Sequence, residues 1–295
     1  AGLPANFFIV NPDTLAGANV TNSLGATRYN SLQLELRRRF AGGIQAQASY
    51  VFGHQYSMNL LTLRAPEVEL RSTGDPGDIT HTFKLNAVYD LPIGEGHRLD
   101  SRSAIVNRVI SGWQLGVATI VRSGTLLDFG NVRLVGMTPS DLEKAFQLRF
   151  DDAGRHVYML PQDIIDNTIA AFNVSATSSN GYAGTPPTGR YMAPANGPDC
   201  IELDSAAAYG QCAARSLVVT GPLFRQTDIK FTKLTKIAGR TQFEFGVNVL
   251  NVFNQPNFLP RSTVGGTNTL ANYEITGLSG TNSSRLIEIL TRFNW

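Results

Sequence analysis

Hydrophobic and polar residues alternate along seven stretches of this chain. A period of two is the mark of a β-strand with one apolar and one polar face. Arg28–Phe40 sets Leu32, Leu34, Leu36 and Phe40 against Gln33, Glu35, Arg37 and Arg39. Ile44–His54 sets Ile44, Ala46, Ala48, Tyr50 and Phe52 against Gln45, Gln47 and Ser49. Ile79–Leu91 has His81, Phe83, Leu85, Ala87, Tyr89 and Leu91 opposite Thr80, Thr82, Lys84, Asn86 and Asp90. Trp113–Arg122 has Trp113, Leu115, Val117 and Val121 opposite Gln114, Gly116 and Arg122. Thr227–Lys236 has Ile229 and Phe231 opposite Asp228, Lys230 and Thr232. Thr241–Phe253 has Phe243, Phe245, Val247 and Val249 opposite Gln242, Glu244, Gly246 and Asn248. In Arg285–Trp295, Ile287, Ile289, Thr291, Phe293 and Trp295 oppose Glu288, Arg292 and Asn294, with Leu286 and Leu290 among the latter. Phe7–Val10 and Thr125–Leu134 carry weaker versions of the pattern.

The connections alternate as well. Phe40 reaches Ile44 through Ala41-Gly42-Gly43, and Lys236 reaches Thr241 through a short turn ending Gly239-Arg240. Glycine at such turns predicts tight hairpins. The other connections, 55–78, 123–224 and 254–284, are long. Counting back from Trp295 assigns every tight turn to one end of the strands and every long loop to the other. The stretch Pro92–Gly112 falls at the tight-turn end although it is long, and a short helix near Ser103–Val109 accounts for part of it. Within 123–224, Thr138-Pro139-Ser140-Asp141 is a helix start: a capping Thr, Pro in the first turn, then an acid. It predicts a helix over Pro139–Phe150 with Leu142, Phe146 and Leu148 near one face. A small strand at His156–Leu160, a second helix across Gln162–Phe172 and extended coil over Ser175–Pro198 follow.

Together these features predict an all-β chain forming an antiparallel transmembrane β-barrel, residues 1–295, with 123–224 as a large external loop insertion. Spanning strands need only about 9–11 residues each. Long outer loops, short inner turns and a polar interior are what such barrels combine. Phe40, Tyr50, Phe52, Tyr89, Trp113, Phe253, Phe293 and Trp295 near strand ends are candidates for the aromatic belts at the membrane interfaces. Glu35, Arg37, Arg39, Lys84, Asp90, Arg122, Asp228, Lys230, Glu244, Glu288 and Arg292 are the expected lumen-facing polar set. For any one of them, an inter-strand ion pair is a simpler reading than a ligand contact. Arg38 points outward near a strand end, where its stem can lie along apolar surface and its charge reach the headgroups. A soluble β-sandwich also carries inward aromatics. It accounts less well for strands this long and for hairpins that alternate tight and very long.

Composition narrows the picture further. The formal charge is +2 over 295 residues, which gives no global attraction to nucleic acid. There is no uninterrupted apolar run of the roughly 18 residues that a transmembrane helix needs. The chain begins at Ala1 without a basic and apolar leader, so a mature product or a piece of a longer protein is expected. Cys200 and Cys212 lie close together in a stretch rich in Gly, Pro and Asn, which suits a disulfide in an oxidising compartment. His54, His81, His97 and His156 lack metal-ligand spacing, and no G-x-S-x-G, phosphate-loop or dinucleotide fingerprint occurs. No cofactor, metal or catalytic residue is assigned, and binding rather than covalent catalysis is expected. Asp151-Asp152 and Asp163/Asp166 read as solvated loop carboxylates.

Six segments taken in order resemble the C-terminal part of TonB-dependent outer-membrane receptors, particularly the Oar-like group with a carboxypeptidase-regulatory-like N-terminal domain. They are YNSLQLELRRRFAGGIQAQASYVFG, DITHTFKLNAVYDLPIG, SGWQLGVATIVRSGTLL, FRQTDIKFTKLTKI, RTQFEFGVNVLNVFNQPNF and the final RFNW. The resemblance implies a bacterial outer-membrane location and energised import of an unnamed ligand through a plugged barrel of about twenty-two strands. It implies outer-membrane lipid, the TonB energy-transducing complex and the barrel-assembly machinery as partners. In that family the complex acts through an N-terminal region, and the resemblance here is to the C-terminal part alone, so that region is expected to lie outside these 295 residues. Ile287, Ile289, Thr291, Phe293 and Trp295 match the family's C-terminal assembly signal. A small self-contained barrel acting as a passive channel, adhesin or anchor is the alternative. The neighbour of the last strand discriminates the two, because an open sheet edge is untenable in lipid.

Overall fold

The computed structural model describes residues 26–58, 69–71, 77–94, 96–97, 100–101, 103–130, 132–174, 187–194, 217–238, 241–258, 269–275, 277 and 284–295. Phe7–Val10, Cys200 and Cys212 lie outside these residues, as do Gly239 and Arg240 of the second tight turn.

The chain begins with β1 (Ala26–Ala41), β2 (Ile44–Met58), the short β3 (Glu69–Arg71), β4 (His81–Asp90), α1 (Ala104–Ile110) and β5 (Trp113–Arg122). A compact insert follows: β6 (Leu126–Asp128), β7 (Val132–Val135), α2 (Pro139–Ala145), β8 (Arg149–Phe150), β9 (Val157–Tyr158), α3 (Gln162–Val174), β10 (Tyr191–Pro194) and β11 (Val218–Thr220). The chain closes with β12 (Phe224–Ala238), β13 (Thr241–Leu250), a 3-10 turn at Leu270–Tyr273, and β14 (Leu286–Asn294).

All seven expected strands form, and they make one antiparallel wall in the order β1-β2-β4-β5-β12-β13-β14, with β3 attached to β2. The register runs without a slip through the β2-β4, β4-β5, β5-β12 and β13-β14 ladders, and in β12-β13 it shifts only beside the turn, between Lys236 and Ala238, so facing is conserved from strand to strand. Ala46, Ala87, Val117, Ile229, Val249 and Ile287 pair successively into one apolar row. Gln45, Val88, Gly116, Lys230, Asn248 and Glu288 form the neighbouring row on the other face. The first hairpin turns at Gly42 (φ 61°) and Gly43 (φ 79°). Two successive positive φ angles define a type I′ turn, whose twist matches that of the strands it joins. Among the described residues the outer edges of β1 and β14 have no strand partner.

Several boundaries differ from the sequence reading. The strand expected through Phe253 stops at Leu250. Asn251 takes φ 49°, and its side chain closes the turn by accepting from the Gln255 N–H and donating to its carbonyl, each at 2.9 Å. Phe253 therefore lies past the strand and is 75% exposed. Phe40 was expected to share a face with Leu36, but a bulge between Arg38 and Ala41 breaks the alternation there. The helix expected over Pro139–Phe150 ends at Ala145, because Arg149 and Phe150 pair with Tyr158 and Val157. Thr125–Leu134 is two strands with different partners, β11 and β10, separated near Gly130 (φ 73°). Tyr191–Pro194, expected as coil, pairs with β7. The strand expected from Thr227 begins three residues earlier, and that expected to end at His54 runs on to Met58.

The buried apolar core lies in the insert, which we call the cap. Phe129, Leu142, Ile164, Ile165, Met192 and Val219 are almost wholly buried there, and Tyr273 joins them from the last long connection. Helix α3 presents Ile164, Ile165, Thr168 and Ala171 inward, the spacing of one helical face. The wall is the reverse. Leu32, Leu34, Leu36, Phe52, Phe83, Phe231, Ile287, Ile289 and Phe293 are exposed on its apolar face.

Candidate functional site: the polar face and its capped mouth

The polar face carries a hollow of about 570 Å³, lined by Arg37, Gln47, Asn86, Asp228, Lys230 and Asn248, among others. Its charges are tied together in small groups. Glu35 accepts from Arg37 at 3.1 Å and from Gln47 at 2.9 Å. Glu244 lies 3.9 Å from both Lys230 and Arg292. Glu288 accepts from Asn248 at 3.2 Å, and Asp90 accepts from Gln114 at 2.7 Å. Asp228 accepts from Gln226 and from the Asn251 backbone N–H at 2.7 Å. The register therefore brings Glu35, Arg37, Lys84, Asp228, Lys230, Glu244, Glu288 and Arg292 onto one face. Arg39 lies in the bulge, outside that regular alternation.

Tyr50, Phe52, Tyr89 and Trp113 share the opposite, apolar face. Tyr89 and Trp113 sit toward the tight-turn end. Toward the loop end, Tyr50 and Phe52 join His81 and His54: the Tyr50 hydroxyl meets His81 Nδ1 at 2.8 Å, and the Phe52 ring lies 5.2 Å from that of His81. Asp78 is buried there and accepts from the Gln55 N–H at 2.9 Å and from His54 at 3.3 Å. The sequence reading passed over Asp78, because nothing local marks one loop carboxylate as buried.

The cap rises from the loop end of β5 and returns at β12. It has its own electrostatics. Thr138 Oγ1 accepts from the Asp141 N–H at 3.2 Å while Asp141 accepts from the Thr138 N–H at 2.9 Å, a reciprocal capping box. That contact holds the Asp141 carboxyl below the usual carboxylate range. The backbone N–H of His156 lowers Asp151 in the same way, and the Arg190 guanidinium lowers Asp163. Burial pushes the Tyr158 phenol up. The cap also grips the last long connection: Tyr158 bridges to Glu274, the Ile275 N–H donates to the Val157 carbonyl at 2.8 Å, and His156 Nδ1 meets Glu274 at 2.7 Å. Neither His156 nor Glu274 stood out in the sequence, since they are far apart along it.

A second hollow, about 180 Å³, opens between cap and wall beside Arg122, Leu148, Met159, Phe224 and Pro256. The Arg122 guanidinium carbon sits 4.6 Å from the centre of the Phe224 ring. Its Nε is buried with no hydrogen-bond partner among the described residues. No cluster of three or more metal-ligating side chains occurs among the described residues. The face can hold mixed polar groups of a solute or of another polypeptide.

A sheet of strands 9 to 16 residues long, apolar and exposed on one side and charged on the other, has the form of a membrane-spanning β-wall. The family model of the outer membrane beta barrel domain matches residues 5–288, and the chain belongs to that family. It is a protein of the bacterial outer membrane. No curated protein and no solved structure matches the chain.

Proposed function

We propose that this chain is the C-terminal section of a TonB-dependent receptor barrel, binding a ligand at its outer mouth and admitting it through a plugged lumen. The observation that carries the reading is the open wall: seven long strands with matched facing, whose first and last members are exposed throughout and lack an outer strand partner among the described residues. An edge of unpaired backbone in lipid is untenable, so further strands complete the barrel. The resemblance of the six segments to Oar-like receptors supplies the class. Glu35, Arg37, Arg39, Lys84, Asp228, Lys230, Glu244, Glu288 and Arg292 line the lumen, and Phe40, Tyr50, Phe52, Tyr89 and Trp113 serve the interfaces. The cap and the connection clipped to it form the extracellular mouth. Ile287, Ile289, Thr291, Phe293 and Trp295 present the signal to the barrel-assembly machinery, and the energy-transducing complex is the partner on the periplasmic side. The chemistry is recognition and passage, without covalent catalysis.

Cysteine pairs placed along β1 and β14, with Cys200→Ser and Cys212→Ser, test the open wall in cells. The expected result is no intrachain disulfide in any register. Efficient cross-linking between Leu34→Cys or Leu36→Cys and Ile289→Cys or Ile287→Cys would mean a small closed barrel instead. The full protein in a planar bilayer is expected to hold no steady conductance; ohmic current would favour a passive channel.

A further inference from the structure

Helix α1 sits at the tight-turn end of the wall, where the Leu91 N–H donates to the Trp113 carbonyl at 2.9 Å and the Leu234 N–H donates to that of Gly112 at 3.0 Å. Its orientation is the inverse of a helix packed on a soluble core. At 3.6 residues per turn, Ala104, Asn107, Arg108 and Ser111 share one side. These residues line the crevice against Lys233, Leu234, Thr235 and Lys236 of β12. Arg108 donates to the Lys236 carbonyl at 3.4 Å, and Asn107 accepts from the Ser101 N–H at 2.8 Å. The opposite side carries Ile105, Val106 and Val109, which are 78%, 44% and 60% exposed. A surface helix in water turns its apolar stripe toward protein, and seven residues are too few to be helical on propensity alone. The apolar stripe therefore needs an apolar environment outside the protein.

The surroundings identify it. Trp113 and Lys233 are cross-strand partners on the apolar face of the wall, which faces lipid in this family. Both reach to the helix: the Trp113 indole N–H donates to the Val109 carbonyl at 3.0 Å, and the Lys233 ammonium donates to the Ser111 carbonyl. The ammonium also lies 5.6 Å from the Trp113 ring centre. A Trp and a Lys at one level, the Lys running its stem over apolar surface to a polar anchor, is the arrangement found where hydrocarbon gives way to headgroups. The lipid-facing surface and the exposed stripe of α1 are continuous through these two residues.

We propose that α1 is an interfacial helix, lying at the phospholipid boundary on the tight-turn side with Ile105, Val106 and Val109 entering the upper acyl region. It acts as a float that fixes how deep β5 and β12 sit. This rests on the barrel's membership of the outer-membrane family and not on the receptor reading. The test is an environment-sensitive fluorophore attached to Ile105→Cys, Val109→Cys or Asn107→Cys in the full protein, with Cys200→Ser and Cys212→Ser, reconstituted in phosphatidylethanolamine/phosphatidylglycerol vesicles. Positions 105 and 109 are expected to show blue-shifted emission and strong quenching by a phospholipid with a nitroxide high on its acyl chain; position 107 shows neither. Water-like emission with iodide quenching at 105 and 109 would overturn the proposal. Protection from both quenchers would also overturn it, because a protein would then cover the stripe.

Discussion

Individual residues hold the cap together through short polar contacts, and the sequence discloses some of these and not others. Thr138 and Asp141 are three apart and form a capping box at the helix start that the sequence announces. Replacing the cap residue costs a helix about 1 kcal/mol, so Thr138→Ala is expected to raise hydrogen exchange across α2 and leave the wall strands unchanged. Asp163 and Arg190 meet at 2.7 Å across 27 residues of chain, and no local pattern announces them. Asp141, Asp151 and Asp163 all titrate lower in the folded cap than in an unfolded chain. A carboxyl depressed in this way stabilises the fold fully above its unfolded value of about 3.9, and that contribution is lost as pH falls through the lowered folded values. Acidification below about pH 4 is therefore expected to loosen the cap before the wall. Proteolysis or hydrogen exchange of 126–174 followed against pH measures this; simultaneous loss of wall protection would contradict it.

At the scale of elements, the strands are legible because alternation is local. Their ends are less so. Whether β13 continues to Phe253 depends on Asn251 adopting a positive φ and bonding to Gln255, which alternation does not encode. Likewise α2 stops where β8 finds β9, a partner beyond the reach of helix periodicity. The first hairpin is the clearest test of an element. In a type I′ turn Asn is tolerated at the first central position and Gly is favoured at the second. Space agrees: a Cβ on Gly42 meets nothing within 4 Å, while one on Gly43 meets the Asp90 carbonyl at 3.3 Å, in a residue whose own N–H donates to the Gly43 carbonyl at 2.8 Å. Gly42→Asn is expected to refold as well as the native protein. Gly43→Val is expected to refold poorly, seen as a smaller heat-modifiable band after transfer into detergent micelles.

For the whole molecule, the decisive feature is that burial and polarity are inverted between its two parts. The cap buries Phe129, Ile164 and Met192, whereas the wall exposes its apolar rows and carries Arg37, Asp228 and Lys230 in the hollow of its other face. Parity within each strand allowed this inversion to be read from the sequence, and a register that shifts only beside the two tight turns turned seven separate faces into one surface. The cap's interior was not legible, because its core joins residues from 127 to 273 that touch only once folded. The inversion makes a quantitative prediction. Val117 and Ala118 are adjacent on β5 but face opposite ways: Val117 pairs with Ala87 and Ile229, and Ala118 with Asn86 and Asp228. An arginine at mid-membrane on a lipid-facing position costs about 2–4 kcal/mol, falling to about 0–1 near the interfaces. Val117→Arg is thus expected to lower stability in lipid vesicles by that larger amount. Val121→Arg, nearer the loop end beside Arg225, is expected to cost much less. Ala118→Arg should change stability little, since its charge enters the polar hollow within reach of Asp228. Urea titration of the three variants in vesicles measures the gradient. A soluble sheet would give large penalties at both 117 and 121 with no dependence on depth; a lipid-facing wall gives a penalty that declines toward its rim.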